Sequence, residues 1–198
     1  MPPLSVATAI ATRAHRGQKR ADGRDYLEHP MAVARLIMGS STHLPTAIYS
    51  AAMLHDVIED ADISYAELAA RVGRSAATMV LGLTRPVRVP GESRDRWDER
   101  YIAQMRMVLP LEPGILLVKI ADRVHNLQTA YALPRARQVD LCDATRRLYL
   151  PFFHSMRRVI PTELQCACSV LLRELERALE QALETTQPTG QTAEKSNA

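Results

Sequence analysis

Aromatic residues are scarce: two Phe, one Trp and six Tyr stand among 198 residues, with only eight Gly. Sandwiches and barrels draw on β-branched and aromatic strands joined by glycine-rich turns, so this composition disfavours them. Ala, Leu, Arg and Glu are abundant instead, which favours an all-α fold. The three cysteines, Cys142, Cys166 and Cys168, are odd in number, and the Cys166/Cys168 pair lacks the second half of a zinc-binding spacing. They are expected to be reduced thiols of a cytoplasmic protein. A basic region before the first apolar stretch is missing, as is any window of the roughly 18 to 20 apolar residues that a bilayer span requires. The best apolar run, Gly114 to Ile120, is interrupted by Lys119, so no membrane partner is expected. The formal charge of +3 is too small and too dispersed to argue for nucleic acid, whereas a small anionic ligand is compatible with it. Hydrophobic residues at 46% and charged residues at 24% describe one soluble domain able to bury a core without disulfides. Nothing in the sequence sets an oligomeric state.

Helical spacing of apolar residues runs from Ser5 to His15 and is followed by the polar, charged loop GQKRADGRDYLEHP. A helix is expected from Pro30 to about Met38, with proline in its first turn. A single buried helix is expected over TAIYSAAMLHDVIED, beginning at Thr46. Ser64 and Glu67 form a capping box for a short helix ending near Gly73, and Ser75 is expected to cap another that runs to about Leu83. RPVRVPGESRDR, from Arg85 to Arg96, reads as a loop able to fold over a site. Further helices are expected over Arg96–Leu109, along ILLVKIADRVHNLQTAYAL up to Pro134, over Arg137–Val159, and over Thr162–Glu184 with a Thr162/Gln165 capping box. Residues 185–198 are polar and without apolar anchors, which predicts a disordered tail behind a domain spanning 1–184. No internal repeat is present.

The chemically unusual segment is LHDVIED. On one helix His55 and Glu59 stand at i,i+4, as do Asp56 and Asp60, crowding four polar side chains onto an otherwise apolar helix. Such groups pair, shift their pKa or bind a cation. His29 precedes Pro30 at an expected loop-to-helix junction, and Asp122 sits inside the apolar ILLVKIADRVHNL, where a carboxylate is costly unless it is paired or metal-bound. Partner-bonded surface pairs, or pairing of Asp122 by Lys119 or Arg123, remain the alternative reading. Two imidazoles and two carboxylates make a mixed nitrogen and oxygen donor set, suited to one Mn²⁺ ion ahead of Fe²⁺ or Zn²⁺.

The strings AHRGQKRADGRDYLEHP, AAMLHDVIEDADIS and VKIADRVHNLQT, in that order from about residue 8 to 134, resemble the hydrolase domain of the HD-superfamily Rel/SpoT alarmone enzymes and their stand-alone small relatives. The resemblance implies a single-domain HD multi-helix bundle that hydrolyses the 3′-pyrophosphate of (p)ppGpp to GDP or GTP and pyrophosphate. It implies that His29, His55, Asp56 and Asp122 hold the metal, usually Mn²⁺, and that Glu59 and Asp60 handle the attacking water. Arg20 falls on a position that contacts the nucleotide, Asn126 and Thr129 on positions lining its sugar and base pocket, and Tyr26 on the aromatic position of the loop. Lys119, Arg24 and Arg123 are expected phosphate contacts. Asp25 stands where the family loop has proline, so a less rigid loop is expected, and the stretch after GLTR varies among relatives. The chain length points to the stand-alone form. Competing readings are an HD phosphohydrolase for another nucleotide or NADPH, and a non-catalytic alarmone-binding module.

Overall fold

The computed structural model describes residues 3–61 and 63–186. Apart from one isolated antiparallel bridge between Lys19 and Asp25, the regular structure of these residues is helical. The bundle is organised around α8 (Ile115–Gln128), in which Ile115, Leu116, Leu117, Val118, Ile120, Val124 and Leu127 are all buried. A helix whose apolar residues are buried around most of its circumference becomes the core, each such side chain contributing about 1.5–3 kcal/mol of burial, while Lys119, Asp122 and Arg123 are buried on its remaining face. Around it pack α2 (Glu28–Ser40), α3 (Thr46–Leu54), α6 (Arg74–Leu83) and the long α11 (Thr162–Thr186). α1 (Pro3–Ala14) lies on α3 and on α5 (Tyr65–Val72), α7 (Arg94–Val108) on α6, and α9 (Arg135–Ala144) on α11. Two glycines permit the closest approaches. A Cβ on Gly82 would stand 2.6 Å from Ile115 Cδ1, and one on Gly114 would stand 2.7 Å from Ile48 Cγ1. No described helix is long and apolar enough to cross a membrane.

The all-α expectation holds, and several boundaries shift for identifiable reasons. The helix expected over TAIYSAAMLHDVIED is broken: α3 stops at Leu54 and a short α4 (Val57–Asp60) resumes after a turn at His55–Asp56. Asp56 takes φ −101°, ψ −7°, and the His55 ring uses Nδ1–H to bond the Ala52 carbonyl at 2.8 Å, competing with the helical ladder for that acceptor. His29 lies at the loop-to-helix junction as expected, in the first turn of α2, which starts at Glu28, two residues before the expected Pro30.

Ser64 Oγ accepts from the Glu67 N–H at 3.2 Å, half of the expected capping box. Ser75 caps nothing: α6 begins at Arg74, and the Ser75 hydroxyl donates to Glu112 at 2.7 Å. Gln165 donates to the Ile160 carbonyl.

The helix expected over Arg137–Val159 starts at Arg135 and contains a π-helical turn, Thr145–Tyr149, before α10 (Leu150–Arg157). Pro151 lacks the N–H that an uninterrupted ladder needs, and the Thr145 hydroxyl occupies the Leu141 carbonyl at 2.6 Å; widening the turn accommodates both. α11 continues to Thr186, two residues past the boundary expected at Glu184. The rest of the expected tail, 187–198, lies outside the described residues.

Candidate metal centre and its cleft

Three elements converge on one point. α2 supplies His29, the turn after α3 supplies His55 and Asp56, and α8 supplies Asp122. His29 Nε2 lies 3.1 Å from His55 Nε2 and 3.2 Å from Asp122 Oδ1, while Asp56 Oδ2 lies 3.3 Å from His55 Nε2 and 3.6 Å from His29 Nε2. His29, His55 and Asp122 form a group whose donor atoms all fall within 4.8 Å of one another, and Asp56 joins through both imidazoles.

The other ring nitrogens are already engaged. His55 Nδ1–H donates to the Ala52 carbonyl, and His29 Nδ1 meets His125 Nδ1 at 2.7 Å. With Nδ1 as donor, a neutral His55 turns its Nε2 lone pair toward His29 Nε2 and the carboxylates, a place where a proton or a cation is called for. Donors about 2.0–2.2 Å from a shared ion sit roughly 3–3.6 Å from their neighbours, so the residues present fit a divalent cation.

Without an ion, the electrostatics show the tension that burial creates. Burial opposes a charge on His55, but the carboxylates of Asp56 and Asp122 outweigh it and push its pKa up to about 9. For His29 burial wins, and the pKa falls. Burial alone would raise Asp56 and Asp122, yet His55 and His29 hold Asp56 low, and Lys119 with the two imidazoles holds Asp122 well below the carboxylate range. Lys119, buried beside the ring of Tyr101, donates to Asp122 Oδ2 at 2.7 Å. Asn126 donates to Oδ1 of the same carboxylate at 2.6 Å. His125 was not picked out in the sequence. Burial, then His29, lowers its pKa to about 4, keeping it neutral where its Nδ1 shares a proton with His29 Nδ1.

Glu59 and Asp60 part company. Glu59 borders a cleft of about 230 Å³ together with His29, Asp56 and Asp122. Its Oε1 accepts the Arg85 N–H at 2.6 Å, and burial raises its pKa against that bond. Asp60 does not border this cleft; its Oδ2 lies 4.0 Å from His15 Nδ1. The i,i+4 pairing expected on a single helix is lost with the break at His55–Asp56.

Tyr26 reaches Asp56 Oδ2 with its hydroxyl at 2.8 Å, and its ring stacks on His15 with centroids 4.6 Å apart. Arg20 Nη2 donates to Asn126 Oδ1 at 3.2 Å and to Thr129 Oγ1 at 3.1 Å, so the early loop and the C-terminal end of α8 share one wall. Arg20 and Asn126 border the cleft, and all three border an adjoining recess of about 430 Å³.

Arg24 is not brought to either space. It is half-exposed and paired with Asp22 and Glu28. Asp25, in the place of the loop proline, forms the bridge and an ion pair with Lys19, while the Tyr26 N–H bonds the Gln18 carbonyl and the Arg20 N–H the Arg24 carbonyl, each at 3.0 Å. Gly23 takes φ +82° at the tip, a value suited to glycine. Backbone bonds thus close the loop without proline.

The cleft is otherwise lined with cations. Arg85, Arg94, Lys119 and Arg123 border it with Arg20. Arg85 is held by Asp98 at 2.6 Å and lies over the ring of Trp97, 4.3 Å from its centre. The Trp97 indole N–H donates to the Pro86 carbonyl. Arg123, only 5% exposed, has its guanidinium 3.6 Å from the centre of the Tyr149 ring, and its Nε is buried without a hydrogen-bond partner. Arg85 and Arg94 sit at the two ends of the arginine-rich loop that the sequence marked as able to fold over a site. The pattern alone did not single them out as residues.

Residues 7–157 match the HD-domain family. Among curated proteins, a guanosine-3′,5′-bis(diphosphate) 3′-pyrophosphohydrolase of Vibrio cholerae is 33% identical over 163 residues, 82% of this chain and 23% of that protein. The bifunctional (p)ppGpp synthase/hydrolase SpoT of Escherichia coli K12 is 31% identical over the same length, with the same coverage of each. The chain thus spans about a quarter of the length of these relatives. Among solved structures, one described as a metazoan ortholog of SpoT that hydrolyzes ppGpp superposes with a TM-score of 0.66 at 20% identity, covering 91% of this chain and 96% of that one.

Proposed function

The chain belongs to the HD-domain family, and from that premise we propose that it hydrolyses the 3′-pyrophosphate of (p)ppGpp, releasing pyrophosphate and GDP or GTP. The observation that carries the reading is one cleft combining an imidazole–carboxylate cluster with a wall of cations that includes a buried guanidinium with a free N–H. Such a wall suits a polyphosphate, and the relatives' activity supplies the nucleotide.

His29, His55, Asp56 and Asp122 would hold the divalent cation, for which a mixed nitrogen and oxygen donor set favours Mn²⁺ over Fe²⁺ or Zn²⁺. When bound, the cation supplies Lewis acidity toward a phosphoryl oxygen and acidifies water. Glu59 borders the cleft and is anchored through Oε1 by the Arg85 N–H, which leaves Oε2 to take the proton of the attacking water. Water adds to the phosphorus attached to the 3′ oxygen; that P–O bond breaks, and the 3′ oxygen gains a proton. Arg123, Arg85 and Lys119 offset charge on the pyrophosphoryl oxygens. Arg20, Asn126 and Thr129 form the nucleoside side of the site, and Tyr26 steadies Asp56. The three thiols are free in the structure, in keeping with a cytoplasmic enzyme.

Incubation of the purified protein with ppGpp and Mn²⁺ tests the reading. GDP and pyrophosphate should form, and Asp56→Ala should abolish both. Protein shown to contain metal that releases neither product refutes it, and a parallel panel with other nucleotides and NADPH identifies the competing substrate.

A further inference from the structure

Tyr149 does not border the cleft, yet two of the cations that do depend on it. The side chain is fully buried at the end of the π-helical turn, whose extra width is marked by the Leu150 N–H bonding the Thr145 carbonyl. Its hydroxyl donates to Asp98 Oδ1 at 2.6 Å and accepts from Arg85 Nη2 at 3.1 Å, while Arg85 also donates to Asp98 Oδ1. The face of the same ring receives the Arg123 guanidinium. No ion pair joins Arg123 to a carboxylate among the described residues. Its guanidinium rests on the ring quadrupole, and its Nε–H is buried without a hydrogen-bond partner. One residue outside the site thus sets the height of Arg123 by its face and the rotation of Arg85 by its hydroxyl.

We propose that Tyr149 is a positioning residue that presents Arg123 and Arg85 as a matched pair of cations to a pyrophosphoryl group. This deepens the polyphosphate reading given above and rests on it. The π-helical turn has its role here: a regular ladder from Arg135 onward would rotate Tyr149 away from Asp98 and Arg123. Asp98, itself almost wholly buried, balances the Arg85 charge on the side away from the cleft. Arg85 therefore stays oriented before any anion arrives, and less ordering remains to be done on binding.

The test is a double-mutant cycle read by calorimetric binding of inorganic pyrophosphate to the Mn²⁺-loaded protein, with KM and kcat for ppGpp alongside. Tyr149→Leu should weaken pyrophosphate binding roughly tenfold, Arg123→Met should match it, and the double variant should lose little more than either. For Tyr149→Leu, KM should rise by a larger factor than kcat falls. Tyr149→Phe keeps the ring and should lose only the smaller share, roughly threefold, that passes through Asp98 and Arg85. If Tyr149→Leu fails to fold, Tyr149→Phe cycled against Arg85→Met carries the same test. Full additivity in the cycle, unaltered binding by Tyr149→Leu, or wild-type protein that does not bind pyrophosphate overturns the proposal. Because the probe has no nucleoside, coupling that persists while ppGpp goes uncleaved counts against the substrate and not against Tyr149.

Discussion

Replacing Lys119 by Met should destabilise the metal-free protein and at the same time increase its response to a divalent cation. Lys119 is 8% exposed and shares Asp122 with the imidazole cluster, donating to Oδ2 while Oδ1 faces His29. Without an ion the buried charges balance near neutrality: Asp56 and Asp122 are negative, Lys119 is positive, His55 is positive with its pKa pushed up to about 9, and burial keeps His29 neutral. Methionine preserves most of the aliphatic volume against Tyr101 but leaves one negative charge uncompensated, a cost of about 3–5 kcal/mol. In a chain of this size each kcal/mol moves the midpoint by about 2–4 °C, so the melting temperature in EDTA should fall by roughly 6–20 °C. With a divalent cation in place, wild-type protein carries a surplus positive charge next to the ion and the variant does not. Metal should therefore bind the variant more tightly, and the gap between the two proteins should close in excess Mn²⁺. Differential scanning fluorimetry in mildly alkaline buffer, with EDTA and then with Mn²⁺, reads both halves. An equal gap in the two buffers, or no gap in EDTA, would show that Lys119 and the cation do not compete for Asp122.

Glu59→Gln should lower turnover by roughly 10²–10³-fold with metal content unchanged. Because Glu59 must be ionised to accept a proton and burial raises its pKa, activity is lost as pH falls through that raised value. The acid limb of kcat/KM should therefore lie above the ordinary 4.5, and a limb at or below it refutes the assignment. Tyr26→Phe removes the hydroxyl bonded to Asp56 and should weaken Mn²⁺ binding roughly tenfold in a metal titration; unchanged affinity would mean that Asp56 needs no such support. Among the cysteines, exposed Cys166 should react promptly with a thiol reagent. Buried Cys142, and Cys168, whose thiol burial pushes up to about 12, should wait for denaturant. Three fast thiols in native protein would contradict the packing of α9 and α11.

Three members of the imidazole–carboxylate cluster stood out in the sequence because each breaks a pattern, whereas His29 was marked by its place before Pro30 and by the family resemblance. His55 and Asp56 interrupt an apolar helix, and Asp122 sits within another, so their cost demands a partner wherever the chain takes them. The core helix α8 was legible from its apolar run, although it stops at Gln128 and a separate 3-10 turn, Ala130–Ala132, takes the place of the continuation expected up to Pro134. Residues that act through long-range contact were not. Tyr149 and Asp98 lie 51 positions apart and meet through a hydroxyl and a carboxylate, a contact with no local periodicity. His125 is hidden by its neighbours, since a histidine one turn from an aspartate on an apolar helix reads equally as packing. Arg24 shows the converse: a basic residue inside a matching motif is spent on Asp22 and Glu28 at the surface. The break at His55–Asp56 escaped because no proline or glycine announces it; a side chain bonding back to the Ala52 carbonyl does the work that a breaker residue would.

The contact between Arg85 and the indole of Trp97 gives the molecule an optical property. Trp97 is the sole tryptophan of the chain, and the cation resting on its face, at 4.3 Å, is one that borders the cleft. Indole emission responds to the field of a nearby positive charge, so an anion that pairs with Arg85 where Asp98 and Tyr149 hold it changes the fluorescence of the unlabelled protein. Occupancy of the site is thereby written into an intrinsic signal with no competing indole, and binding can be followed in real time, in turnover or at rest, without a dye or a modified substrate.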